Sequence, residues 1–170
     1  MRRKDREITD IKSIIEILDE CKVMRLGMCI DNIPYVTPLN FGYELTEKGF
    51  VFCFHCAPEG KRLDIIGQNP NVFIEIDNGG TLTPAEKACG WGCDYKSVMA
   101  VGKARKISDN AEKKHALSLL MKHQTGKDFS FEDKDLEGVC IVAVDVSELT
   151  AKARSTERPT RSVEKGSQQA

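Results

Sequence analysis

The chain has 170 residues, 25 basic and 26 acidic side chains, a formal net charge of −1 and few aromatics. That length predicts one domain with a real core, and the charge balance argues against bulk nucleic-acid binding, which leaves a basic footprint. No apolar run approaches the ~18 residues needed to span a bilayer, and the N-terminus MRRKDREITD lacks the apolar region of a secretory signal.

In chain order, Asp10 is placed to cap a helix through Glu20, with Ile11, Ile14, Ile15 and Leu18 on one face. Residues 23–30 read as a strand, Asp31 and Asn32 as a turn, and residues 35–44 as a second strand. Pro34 and Pro38 make this second strand an edge or a bulged strand, because proline cannot donate to a ladder. Residues 45–49 read as a turn and 50–56 as a third strand. After a Pro-Glu-Gly turn, RLDIIGQ reads as a short helix from Lys61 to Gln68. NVFIEID (71–77) is a fourth strand, residues 78–93 a loop, and YKSVMAVGKARKI (95–107) a long strand. Asp109 caps an amphipathic helix through about His123, with Ala116, Leu119, Leu120 and His123 or Met121 toward the core. VCIVAVDV (139–146) is the last strand.

Most strand-to-strand links are too short for parallel crossovers, so the sheet is mainly antiparallel. Six alternating strands predict a small barrel closed on itself. The absence of GxGxxG and of regular βαβ alternation disfavours a dinucleotide-binding doubly wound sheet. The domain is expected over residues 1–150, and the polar, aperiodic residues 151–170 read as a disordered tail.

Chemistry concentrates in FCFHCAPEGKR, residues 52–62. A strand, a glycine turn and a helix opened by Lys61 and Arg62 converge on one point. Free backbone N–H groups, the positive helix end and two cations there favour an anion, phosphate above all. The plain alternative is a strand–turn–helix with solvated cations. Strand alternation puts Val51, Cys53 and His55 on one face and Phe52, Phe54 and Cys56 on the other. Cys53-x2-Cys56 therefore points its sulfurs apart, which argues against a zinc knuckle. His55 is the candidate for proton transfer, against a structural histidine tied to a backbone carbonyl. Seven cysteines without an export signal predict free thiols in a reducing cytoplasm. Cys21, Cys29 and Cys140 read as small core residues, Cys89 and Cys93 as plain loop residues near Trp91 rather than the alternative of exposed redox thiols. His115 and His123 lie two helical turns apart, too far to share a metal, and the helix dipole accounts for His123.

Four segments together resemble the flavin-binding split-barrel superfamily of pyridoxamine-phosphate oxidases, and its nitroimidazole-resistance (Nim-type) branch most of all. They are RLGMCIDNIPYVTPLNFGYE (25–44), FHCAPEGKRLDIIGQNPNVFIEID (54–77), CDYKSVMAVGKARKI (93–107) and EKKHALSLLMKHQTG (112–126). The resemblance implies a mainly β fold with helices, an antiparallel six-stranded split β-barrel that binds FMN. It also implies a homodimer with two FMN molecules, each held where a barrel meets its neighbour. The segment matching Thr37, Pro38, Leu39 and Asn40 would run beside the isoalloxazine ring. Positions matching His55, Cys56, Gly60, Lys61 and Arg62 would surround the ribityl phosphate and ring, and those matching Tyr95, Ser97 and Val98 would add contacts near the ring. The implied reaction moves electrons from NAD(P)H to a small acceptor such as a nitro-aromatic. Alternatives are a flavin-binding sensor module without turnover and a haem-binding relative on the same barrel. The C-terminal Trp and Arg segment of true pyridoxamine-phosphate oxidases has no counterpart, Trp91 being the only Trp, which argues against vitamin B6 oxidation.

Overall fold

In the computed structural model, which describes residues 3–155, a 3-10 turn (Lys4–Arg6) leads into a two-residue strand, β1 (Glu7–Ile8). Helix α1 (Ile11–Glu20) follows, and the Asp10 carboxylate accepts a 2.9 Å hydrogen bond from the Ser13 N–H, as its capping position predicts. Strands β2 (Val23–Ile30) and β3 (Ile33–Asn40) form a hairpin. Its two turn residues, Asp31 and Asn32, both have positive φ, the left-handed pair that matches the twist of a two-residue hairpin. Then come β4 (Gly42–Thr46), β5 (Gly49–Cys56), helix α2 (Lys61–Gln68) and β6 (Asn71–Asp77). The segment expected as loop carries a short strand, β7 (Thr81–Thr83), and a 3-10 turn (Ala88–Gly90). Strand β8 (Gly92–Lys106), helix α3 (Asn110–Thr125) and strand β9 (Cys140–Arg154) complete the fold.

The sheet order is β3-β2-β6-β8-β9-β5-β4, with β1 added on β9 and β7 on β8. Every pairing is antiparallel. The two strands at the ends of this order, β3 and β4, are separated in the chain by Phe41 alone. They are two halves of one bent ribbon, which closes the sheet covalently rather than by a further ladder. Counted as ribbons, this path has six members, as the sequence predicts; as separate strands it has seven, and β1 and β7 beside it bring the total among the described residues to nine. Pro34 and Pro38 lie in β3, which hydrogen-bonds β2 only, so the missing N–H groups break no second ladder.

Fully buried Phe41 marks the corner. Its ring packs against His123 (4.4 Å between centroids) and Phe52 (5.8 Å). The backbone acceptors freed by the bend are met by Gln124, whose amide donates to Phe41 C=O at 2.9 Å and to Lys22 C=O at 3.1 Å. Inward side chains such as Met24, Leu26, Phe52, Phe54, Ile74, Ile76, Val98, Val142 and Val144 fill the barrel. A second, smaller core lies outside it, where α3 covers Cys53, Ile141 and Ala143 with Ala116 and Leu117. Strands β5 and β9 are thus covered on both faces, which is why their sequences read as unbroken apolar runs.

Two expectations need correction. Strand β9 continues past Val146 to Arg154, beyond the expected domain boundary at 150. A bulge hides this continuation from a simple alternation. Val101 pairs with Glu148 but Gly102 with Val146, so Ser147 has no opposite number. Residues 156–170 of the expected tail lie outside the described residues. Second, the helix dipole does not account for His123, which is buried on the core-facing side of α3, one of the two placements its periodicity offered. Its Nε2 donates to Cys21 C=O at 2.8 Å, and burial pushes its pKa below the ordinary value.

Candidate functional site

Helix α2 begins at Gly60, whose positive φ with an extended ψ suits glycine alone. Leu63 and Asp64 N–H groups donate to Gly60 C=O at 2.9 and 3.2 Å. The N–H groups of Lys61 and Arg62 precede the first helical bonds and have no helical acceptor. Both side chains fold back over the barrel mouth. Lys61 Nζ stands 4.7 Å from the centre of the Tyr35 ring, a cation–π contact. The Arg62 guanidinium lies 5.7 Å from the Phe54 ring and donates from one terminal nitrogen to Thr37 Oγ1 at 3.0 Å. Strand alternation in β3 makes this possible: Tyr35, Thr37 and Leu39 face inward, and Val36, Pro38 and Asn40 outward.

Tyr35, Cys56, Glu59, Gly60, Lys61 and Arg62 line a shallow cleft of about 190 Å³. Two observations show that it suits an anion. The Arg62 Nε is buried and has no hydrogen-bond partner among the described residues, a costly state for a charged donor. A Cβ built on Gly60 would meet nothing within 4 Å, so the turn faces open space. Burial pushes the Cys56 thiol up from its ordinary value and neighbouring Cys140 pushes it further, while Arg62 pulls it down.

The structure brings Thr37, Cys56, Gly60, Lys61 and Arg62 together, with Leu39 half-buried on the same face of β3. It places the other predicted residues elsewhere on this chain. Pro38 points outward and is exposed. Asn40 is engaged at the barrel corner, donating to Lys22 C=O at 3.1 Å and to Gln124 Oε1 at 2.9 Å. His55 sits exposed on the outer face of β5 and its side chain makes no hydrogen bond among the described residues; the carbonyl-tied histidine is His123 instead. Cys53, on the same face as His55, is covered by α3 and bonds Ala116 C=O at 3.3 Å, and burial pushes its thiol up to about 12. Cys56 faces the barrel, so the two sulfurs of the Cys-x2-Cys pair do leave the strand on opposite sides.

On β8, Tyr95 accepts a 3.4 Å hydrogen bond from Arg6. Ser97 is on the outer face with its Oγ buried and unpartnered among the described residues. Val98 is fully buried inside the barrel, held between β6 and β9, so its side chain offers nothing to a ligand outside. Strands β2 and β6 separate all three from β3 in the sheet. Tyr35 and Phe54, which flank the cations, escaped the sequence reading, although Tyr35 shares the alternation of Thr37 and Leu39. A larger cavity of about 690 Å³ lies between α3 and the β5–β9 face, and five of its charged or titratable side chains pair with one another. Arg105 binds Asp145 at 2.9 Å and Glu112 at 2.7 Å, and His115 meets Glu44 at 2.9 Å. No helix among the described residues is long and apolar enough to cross a membrane.

Comparison with known proteins sets this geometry in context. The chain is similar in structure to a candidate 5-nitroimidazole antibiotic resistance protein from Bacteroides thetaiotaomicron VPI-5482, at 32% identity and a TM-score of 0.74, covering 86% of each chain. The fold is shared with the flavocytochrome Anf3 from Azotobacter vinelandii (21% identity, TM-score 0.73, 91% of this chain and 72% of that one). It is also shared with the FAD and heme binding protein from Mycobacterium smegmatis (16% identity, TM-score 0.74, 88% and 74%). No curated protein matches the chain. The sequence model described as pyridoxamine 5'-phosphate oxidase matches residues 10–153, and the chain belongs to that family.

Proposed function

We propose that the chain binds FMN and is a flavin-dependent oxidoreductase, passing electrons from NAD(P)H to a small acceptor such as a nitroimidazole or another nitro-aromatic, as a cytoplasmic homodimer. The observation that carries this reading is the buried, unpartnered Nε of Arg62 beside the open turn at Gly60. A phosphate there would satisfy Arg62, the free N–H groups of the first helical turn and Lys61 at once. Thr37 fixes the guanidinium through its hydroxyl. Strand β3 pairs on one side only, so its other edge is free to offer N–H and C=O groups to a flat heterocycle. A bound flavin supplies the electron chemistry; the protein holds it, orients it and sheds water from one face. Similarity to the Bacteroides protein supports the nitro-aromatic acceptor.

The homodimer rests on the outer sheet face. Val36, Phe73 and Val101 are 61%, 45% and 39% exposed there, and the Ser97 Oγ is buried without a partner. Exposed apolar area beside an unmet polar group is what a protein partner covers. A second copy would bring its own Tyr95 and Ser97 toward the cleft that this chain builds without them.

The absorption spectrum of the purified protein, with the mass of any released cofactor, tests the cofactor. A flavin spectrum and released FMN are expected, from a particle near twice 19.0 kDa; a Soret band would put haem in its place. Steady-state NAD(P)H oxidation with a nitro-aromatic tests the reaction, and no acceptor-dependent turnover would leave a flavin-binding module. If His55, the sequence candidate, donates the proton from its place on the outer face of β5, His55→Ala should keep FMN and lower turnover per flavin by about 10²–10⁴-fold. A rate within about twofold of the parent, on the typical enzyme scale of ~10 s⁻¹, removes it from the chemistry.

A further inference from the structure

Cys56 is the last residue of β5 and Cys140 the first of β9, and the two stand directly opposite each other in the antiparallel ladder. Both follow the inward alternation of their strands, with Phe52 and Phe54 on β5 and Val142 and Val144 on β9. Both are free, half-buried thiols at the barrel mouth, and Cys56 lines the Arg62 cleft. Residues opposed in such a ladder have Cα atoms about 4.5–5.5 Å apart, inside the ~4.4–6.8 Å that a disulfide spans. Their Cβ atoms lie about 4.5–5.5 Å apart in a ladder but about 3.5–4.5 Å apart in a disulfide. Bridging them therefore draws the strand ends together by about 1 Å, the difference of those two ranges. That displacement falls at the root of the turn that carries Gly60, Lys61 and Arg62.

We propose that Cys56 and Cys140 are a peroxide-sensitive dithiol whose oxidation to a cross-strand disulfide weakens ligand binding in the adjoining Arg62 cleft. The bond rests on strand register alone; its consequence rests on the reading of that cleft as the FMN phosphate site. Hydrogen peroxide is the oxidant. One thiolate attacks a peroxide oxygen, the O–O bond breaks, and a sulfenic acid and one water result. The second thiol displaces the sulfenic oxygen as a second water, forming S–S. Two electrons pass from the sulfurs to peroxide, and the two thiol protons leave in the waters. Thiol reductants reverse the step. Linkage is reciprocal at equilibrium: if the bridge weakens FMN, bound FMN makes the bridge easier to reduce by the same factor.

The test treats flavin-free and FMN-loaded protein with hydrogen peroxide, caps the remaining thiols with N-ethylmaleimide, and maps the digest by mass. A Cys56–Cys140 linked peptide, two hydrogens lighter than the dithiol pair, is expected, and less thiol reductant should open it when FMN is bound. Fluorescence titration should show the FMN Kd of oxidised protein raised by about tenfold, a shift well within what one small displacement produces. Dithiothreitol should restore it, and Cys140→Ala should show neither bridge nor shift. Capped Cys56 and Cys140, with oxidation confined to Cys89 and Cys93, overturns the pair. A mapped bridge with the FMN Kd unchanged within about twofold overturns its control of the cleft. If the reduced protein binds no FMN, the flavin reading falls and that control with it, while the peptide map still decides the dithiol pair.

Discussion

Gly42 and Gly60 each stand where a helix meets the barrel, and each is glycine for the opposite reason. At Gly42, on β4, a Cβ would collide with the backbone of α3, closest at the Leu120 nitrogen and 2.7 Å from the Leu119 carbonyl carbon. There is no room, and backbone cannot step aside as a side-chain tip can. At Gly60 an added Cβ would meet nothing within 4 Å, but the backbone takes a conformation that only glycine adopts without strain. At Gly42 the α3 contact is closed, backbone against backbone. The α2 contact is built from cations, an unmet donor and open space. Close packing marks the part of the fold that sustains itself; unfilled strain marks the part made for something else.

The comparison breaks most sharply at Gly42. Gly42→Ala should destabilise the protein by about 3 kcal/mol, at the upper end for overpacking because only backbone stands in the way. Chemical denaturation measures it, and a loss below about 1 kcal/mol would show that α3 docks with slack. Next is the double variant Lys61→Ala with Arg62→Ala. Charge-assisted bonds are worth roughly 1.5–3 kcal/mol each, so FMN affinity should fall from about tenfold to several hundredfold or more while riboflavin affinity barely moves. Equal losses for both ligands would place the phosphate elsewhere. Gly60→Ala should cost about 1–2 kcal/mol in stability through its backbone alone, and should weaken FMN beyond that by crowding the turn. A stability loss as large as at Gly42 would mean that the two sites do not differ as described.

The smallest effect is a pH dependence at the closed end. Burial lowers the pKa of His123; nearby Lys22 acts in the same direction, and the Cys21 carbonyl and Asp19 oppose it. The unfolded chain then binds a proton that the folded chain refuses. The contribution of a neutral His123 is whole above the ordinary histidine pKa near 6.5 and is lost as pH falls through that value toward the lowered one. Between pH 8 and 5.5 the parent should lose more stability than His123→Gln. Parallel curves would show that His123 ionises in place without penalty.

The sequence reading anticipated much of the barrel because local rules and tertiary structure agree there. Asp10 and Asp109 cap helices, Asp31 and Asn32 make a hairpin turn, and NVFIEID alternates as a strand with one face in the core. Reading failed where a neighbour changed the rule. The bulge at Gly102 broke the alternation that would have shown β9 running to Arg154. His123 looked like a helix-end cation because nothing in its own segment announces Phe41 stacked on it or Cys21 C=O accepting its proton. In the cleft, Lys61, Arg62 and Gly60 were legible as a glycine turn opening a cationic helix. Their partners Tyr35 and Thr37, far upstream in the chain, meet them only because β3 crosses the barrel mouth.

By itself, then, the sequence determined most of the elements, the antiparallel character of the sheet and the glycine turn that opens a cationic helix. These depend on neighbours within a few residues: the 3.6 and 2.0 periods, the caps and the placement of glycine. The tertiary structure alone decided that β3 and β4 are one bent ribbon closing the barrel at Phe41, and that Gly42 must make way for α3. It also decided that Arg62 would be buried with a donor unmet and that Cys56 would face Cys140. Each of these depends on distances between segments remote in the chain, which register and packing set and no local pattern encodes.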